Sequence, residues 1–221
     1  MDLSLLFNHS KEFLFFVVNL SIVFLILIIN EFYVSKKIKH YEYTRKFAHV
    51  LIGTFVAFWP FYISYQSIRI ISLLFILVTI FSKFFNLFNS IHSIDRFSLG
   101  EISFGIAVGL ATFLTNNIYI FSMAILIMSI SDGLAAIVGV KWGRTNQYHI
   151  LSSTKSIVGT AIFFISSLII VTILNTLGHL GLSLLAVMLL AFSSLVVENI
   201  SFYGLDNLLI PLLVIVVASL I

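Results

Sequence analysis

Residues 118–144 read IYIFSMAILIMSISDGLAAIVGVKWGR, and this stretch decides the fold. From Ile118 to Val140 it carries one charged side chain, Asp132, and no proline. A run of that length spans the hydrocarbon core of a bilayer, which takes roughly 20 apolar residues in a helix. Asp132 therefore sits inside such a span, short of its inner end. A carboxylate at that depth requires a cation, a water-filled cavity or a proton, so it is a functional residue by default. Ser129 and Ser131 offer hydroxyls beside it, and Gly133, Ala135 and Ala136 remove bulk around it. Asp132, Ala136, Gly139 and Gly143 follow one another on a helical face, open to close approach of a partner.

The rest of the chain has the same character. Its 221 residues hold 12 Lys and Arg and 9 Asp and Glu, 10% charged against 60% apolar, with 2 prolines, no cysteine and a mean hydropathy of +1.14. Soluble domains carry about 25% charged residues, so an ordinary water-soluble globule is excluded. Disordered and nucleic-acid-binding chains are excluded by the same numbers, and disulfides, thiolate nucleophiles and Cys-ligated zinc by the lack of cysteine. The composition implies a single all-α domain over residues 1–221, a polytopic integral membrane protein with about eight transmembrane helices. Spans are expected near Phe13–Ile29, Phe47–Tyr65, Ile68–Phe81, Ile102–Leu114, Ile118–Val140, Ile157–Leu177, Leu180–Val197 and Leu208–Ile221. The first has no small-residue cleavage site after it and reads as a retained span. Strands are not expected. Between Lys83 and Gly100, Phe84, Leu87, Phe88, Ile91 and Ile94 recur at helical spacing, as in a helix lying in the membrane interface.

Basic residues orient the spans. Of the 12, Lys11 and Arg69 fall on one face and the other ten on the opposite face, from Lys36 to Lys155. The richer face is expected to be cytoplasmic, with both termini on the outer side. Trp59, Phe61, Tyr62 and Tyr65 would form an outer aromatic belt. The remaining ionisable residues near span ends then gather at the inner face. Arg45, Lys46 and His49 open the second span, Glu101 opens the fourth, and Lys155 precedes the sixth. Glu198 ends the seventh, and Asp206 with Asn207 precedes the eighth. One site built from five helix ends is the economical interpretation.

Each piece suggests a task. Ser152 to Thr160 places hydroxyl caps, Lys155 and Gly159 at a helix start, where free N–H groups favour an anion. It lacks the spacing of a P-loop, and taken alone reads as an ordinary capped start with an orienting lysine. Arg45 and His49 are one turn apart and can reach one ligand together. Asp132, Glu198 and Asp206 could supply oxygen ligands to a hard divalent cation such as Mg²⁺. Gly105 and Gly109 form a GxxxG pair suited to close helix packing.

Together these pieces resemble the family of CTP-dependent lipid-alcohol kinases, which includes phytol kinase, dolichol kinase and the CTP-using diacylglycerol kinase. The resemblance rests on Arg45-Lys46-Phe47-Ala48-His49 with Gly53, Gly100-Glu101, Ser131-Asp132-Gly133-Leu134-Ala135-Ala136 with Gly139 and Gly143, Lys155-Ser156 with Gly159, and Glu198 with Asp206-Asn207 and Pro211. Val158 stands where the family usually carries Glu. The resemblance implies a membrane kinase that transfers the γ-phosphate of CTP to a lipid alcohol at the cytoplasmic face. It implies nucleotide contacts from Arg45, Lys46, Ser131, Gly139, Gly143, Lys155, Ser156, Gly159 and Asn207, and Mg²⁺ on Asp132, Glu198 and Asp206. Asp132 and Lys155 would act on the phosphates, and His49 or Asp206 would take the hydroxyl proton. The partners are CTP, a membrane alcohol (phytol, a polyprenol or diacylglycerol) and the bilayer, with no nucleic acid. A CDP-lipid-forming cytidylyltransferase would use the same nucleotide. A secondary transporter would also carry charges within spans, though usually near the midplane.

Overall fold

A computed structural model describes residues 14–23, 25, 26, 28, 41–84, 99–151 and 153–221, with residues 41–45 and 83 described in backbone only. The helices are α1 (Leu14–Val23), α2 (Tyr41–Ala57), α3 (Tyr65–Phe84), α4 (Gly100–Leu114), α5 (Ile118–Leu126), α6 (Asp132–Trp142), α7 (Ile157–Leu177), α8 (Leu184–Ile200) and α9 (Asp206–Leu220). A π turn, Ile127–Ser131, joins α5 to α6 into one continuous helical rod. Among the described residues, three helical stretches are long and apolar enough to cross a membrane: Tyr65–Ser82, Ile118–Trp142 and Ile157–Leu177. The other apolar helices are shorter. Each expected span overlaps one helical segment, with shifted ends. The second stops at Ala57, where a 3₁₀ turn at Trp59–Phe61 leads into α3, and the seventh runs from Leu184 to Ile200. The expected interfacial helix, and residues 29–40, lie outside the described residues.

Two expectations are corrected. Residues Gln147–Ile150 (β1) and Ser153–Ser156 (β2) form an antiparallel hairpin, with Tyr148 opposite Lys155. It is too short and too polar to give the alternating signature by which strands were sought. Trp59 is 2% exposed and packs inside the bundle against Phe55, so it does not belong to an outer belt. Phe61 and Tyr62 are exposed, as that belt requires.

Side-chain caps fix the starts of three helices. The Asn117 side chain accepts from the N–H groups of Tyr119 and Ile120, Ser156 Oγ from Gly159 and Ser183 Oγ from Ala186. Each satisfies donors that a helix start leaves open. The α5–α6 rod forms the centre. Phe121 and Met123 to Ile125 are fully buried, as are Ile127 and Met128, and α2, α7 and α9 pack around them. The outer faces are equally apolar. Ile165, Ile169, Ile173 and Leu177 form an exposed stripe on α7, and Leu185, Leu189, Phe192 and Val196 one on α8. Helices apolar on both the buried and the exposed face are suited to lipid rather than water as their surroundings.

Candidate functional site

The site begins where α2 meets the central rod. Lys46, His49, Val50 and Gly53 share a face of α2. Gly53 lies against Ser129, and Gly133 of α6 lies so close to Val50 that a Cβ there would collide with its side chain. These two contacts bring the α2 side chains onto Asp132. Lys46 Nζ donates to Asp132 Oδ2 at 2.5 Å, and His49 Nε2 lies 4.0 Å from the same oxygen. Asp132 is 3% exposed, so the lysine is the cation its depth demands. The π turn contributes as well. It widens the ladder from i+4 to i+5 and loosens local carbonyls. His49 Nε2 lies 3.3 Å from the Met128 carbonyl, a contact that requires its proton on that nitrogen. The His49 ring stacks edge-on against Phe104, with centroids 5.5 Å apart.

The second part is the hairpin. Lys155 Nζ donates to both Glu198 Oε1 and the Glu198 carbonyl, the latter at 3.1 Å, fastening β2 to the end of α8. Burial pushes the Lys155 ammonium down, but the Glu198 carboxylate and its hydrogen bond, with Asp132 and Asp206 behind them, outweigh burial and leave its pKa above the ordinary lysine value. Tyr148, cross-strand from Lys155, hydrogen-bonds Thr160 of α7 and donates to Asn199 Oδ1 of α8. Ser156 caps α7 and nests among three glycines. A Cβ on Gly139 or Gly159 would come within 2.9 or 3.0 Å of its Oγ, and one on Gly143 would collide with it. These glycines let α6, the hairpin and α7 meet at backbone distance.

The third part is the α8–α9 turn. Tyr203 and Gly204 both have positive φ, 55° and 83°, which reverses the chain and turns Asp206 inward at the start of α9. Asp206 Oδ1 accepts from the Asn207 N–H at 3.0 Å, and Asn207 Nδ2 donates to the Gly100 carbonyl at 2.9 Å, tying α9 to α4. Pro211 lacks an N–H, so the Asn207 carbonyl loses its usual helical partner.

These three parts enclose a polar cavity of about 310 Å³. It is lined by Lys46, Asp132, Gly139, Lys155, Ser156, Gly159, Glu198, Asp206 and Asn207, all singled out from sequence. Others stand differently. His49 lies behind Asp132 rather than in the lining, and Ser131 is fully buried with its Oγ unpaired. Gly143 packs under Ser156. Arg45 lies in α2, but its side chain is outside the described residues. Glu101 sits in the first turn of α4. Thr154 and Thr160, within the hydroxyl-rich stretch from Ser152, line the cavity too. Sequence reasoning missed Gln147, Tyr148 and Asn199: the hairpin that presents the first two has too weak a strand signal, and Asn199 read as an ordinary helical polar residue.

A divalent cation is consistent with this donor set, although Mg²⁺ would not be held by protein alone. Among the described residues no three His, Asp or Glu side chains are grouped to hold a metal ion. Mg²⁺ is commonly held by one or two carboxylates together with substrate phosphates. The lining carries Lys46 and Lys155 against Asp132, Glu198 and Asp206, two positive charges against three negative. Of the three carboxylates, Asp206 has no Lys or Arg within ion-pair distance among the described residues.

Over 125 residues the chain is 33% identical to the phytol kinase of Synechocystis sp., a match that covers 54% of this chain and 53% of the relative. Half of this chain is related to a phytol kinase. The chain spans about half the length of that relative in the match. The similarity to phytol kinase bears out the lipid-alcohol-kinase resemblance read from the motifs. No family model matches the chain, and no solved structure matches it.

Proposed function

We propose that the protein is a membrane lipid-alcohol kinase that uses CTP. The observation that carries this reading is the convergence of Lys46, Asp132, Lys155, Glu198 and Asp206 on one cavity in a chain with so few charges. The phytol kinase similarity supports the reaction class. The reading includes about eight membrane crossings, a cytoplasmic cavity mouth and both termini on the outer side, supported by the distribution of Lys and Arg.

Phosphoryl transfer requires positioning and charge neutralisation more than covalent help. Asp132 and Asp206 would hold Mg²⁺, which would supply charge neutralisation for the phosphates. Lys46 and Lys155 face the phosphate oxygens from opposite walls, and Glu198 keeps Lys155 aimed. Ser156, Gly139 and Gly159 allow the nucleotide to approach the start of α7. The acceptor oxygen bonds to the γ-phosphorus as the bond to the β-bridging oxygen breaks, so CDP leaves and the lipid keeps the phosphate. The hydroxyl proton passes to His49, which stands on the apolar side of Asp132.

The test is purified protein in proteoliposomes with labelled CTP or ATP against phytol, polyprenols and diacylglycerol. CDP and lipid phosphate are the expected products. Pyrophosphate and a CDP-lipid would instead establish a cytidylyltransferase. Absence of any Asp132-dependent nucleotide turnover would refute both.

A further inference from the structure

On the other side of His49 lies a second space. It is an apolar cleft bordered by Val23 of α1, Ile52 and Val56 of α2, Phe75 of α3, and Phe104 and Val108 of α4. Phe104 is the ring on which His49 stacks, and His49 in turn lies 4.0 Å from Asp132. One imidazole thus separates a polar cavity from a greasy one. The cleft exists because α3 packs onto α4 while α2 packs onto the central rod. Gly105 seats Ile76 and Phe75, and Gly109 faces Ser72, which draws α3 against α4 and leaves space on the α2 side. The cleft's unfilled volume is about 40 Å³, room for only a short stretch of one hydrocarbon chain.

We propose that this cleft receives the near end of the acceptor alcohol's hydrocarbon chain, with its hydroxyl emerging past Phe104 at His49. The proposal rests on the kinase reading above and assigns its acceptor site. The chemistry of the walls selects the occupant: they are aliphatic and aromatic carbon apart from two side-chain polar atoms, with an ionisable group only at the His49 end. From Ile52 to Trp59 the cleft runs roughly 10 Å along the helix direction. At its far end stand the two polar atoms of the lining, Trp59 Nε1 and Ser72 Oγ, both buried and unpartnered. Hydrocarbon pressed against unpaired donors is unfavourable, so the chain leaves the cleft there and continues into the bilayer. A volume of about 40 Å³ admits one slender alkyl or isoprenoid chain and leaves no room for a second acyl chain.

Photolabelling tests the site separately from the reaction. The full-length protein in phosphatidylcholine vesicles is irradiated with a long-chain isoprenoid alcohol carrying a diazirine a few carbons from the hydroxyl, and labelled peptides are mapped by mass spectrometry. Labels are expected within residues 52–56 and 104–108, reduced at least fivefold by unlabelled alcohol but not by the matching hydrocarbon without its hydroxyl. In activity assays Val108→Phe should raise KM for the alcohol at least tenfold and leave KM for CTP unchanged. Should that variant misfold, the labelling of the unaltered protein still decides. Labels confined to the outward stripes at Ile165, Ile169 and Phe192 would overturn the cleft assignment, whatever the activity. Cleft labelling without any phosphorylated product would keep the lipid site and overturn the kinase reading.

Discussion

Two lysine–carboxylate pairs line the polar cavity, and they are built in different ways. Lys46 and Asp132 both lie on helices, brought together by Gly53 and Gly133 at a helix crossing. Lys155 lies on a strand and reaches Glu198 only because a hairpin folds back against α8. The first pair is fixed by the packing of the core. The second depends on a loop whose own anchor is the Tyr148 hydroxyl. The difference indicates which parts of the site are rigid and which can adjust when a ligand enters.

The first pair should therefore give the largest effects. Asp132→Asn is expected to lower CTP-dependent lipid phosphorylation by roughly 10³-fold or more, measured with saturating substrates. It also strands Lys46 in the interior, a loss of about 3–5 kcal/mol when one partner of a buried pair is removed. The double replacement Lys46→Met with Asp132→Leu should recover most of that stability, read as thermal unfolding in detergent, while remaining inactive. Recovery of activity in the double variant would disprove the role given to Asp132.

His49 comes next. His49→Gln should lower kcat by roughly 10²–10⁴-fold, as for loss of a general base, and should flatten the acidic limb of the pH–rate profile. A change confined to KM for CTP would place His49 in nucleotide binding instead.

The hairpin pair should be more forgiving. Glu198→Gln keeps a hydrogen bond to Lys155 but gives up the charge, and a loss of about tenfold in kcat/KM is expected, near 1.4 kcal/mol. Lys155 itself has a folded pKa above its ordinary 10.5, so the lysine's own contribution is complete below that value and lost as pH rises through the higher folded one. Activity and stability should accordingly show no Lys155-dependent decline until the solution is more alkaline than 10.5. A decline near neutrality that Lys155→Arg removes would contradict this sign. The smallest effect is expected from Tyr148→Phe, at about 1 kcal/mol of stability for a lost hydrogen bond and a few-fold loss in kcat/KM. An effect larger than that of Glu198→Gln would mean that the hairpin anchor, rather than the charge, sets the position of Lys155.

Much of the site was legible in the chain because charge is so scarce there. A carboxylate inside an apolar run can be found without any structure, and its partners had to come from the few basic residues at span ends. Asp132, Lys46, Lys155, Glu198 and Asp206 were found in this way. The roles of the glycines were less legible. Gly139, Gly143 and Gly159 read as room for a nucleotide, whereas Gly143 packs beneath Ser156 and the other two serve both the cavity and the crossing of α6 and α7. Pairing within the site was not legible at all. Glu198 read as a metal ligand from sequence, and in the structure its carboxylate is engaged by Lys155.

Hydrophobic length by itself determined the helical, membrane-suited character of this chain and the approximate place of each apolar segment, because the cost of a charge or an open backbone in lipid acts on local sequence. The positions of the rare ionisable groups determined which residues any chemistry must use. Which lysine meets which carboxylate, the hairpin that carries Lys155, and the apolar cleft behind His49 were decided only by tertiary structure. They arise from contacts between segments far apart in the chain, where a glycine or a short polar strand sets a distance that no local pattern records.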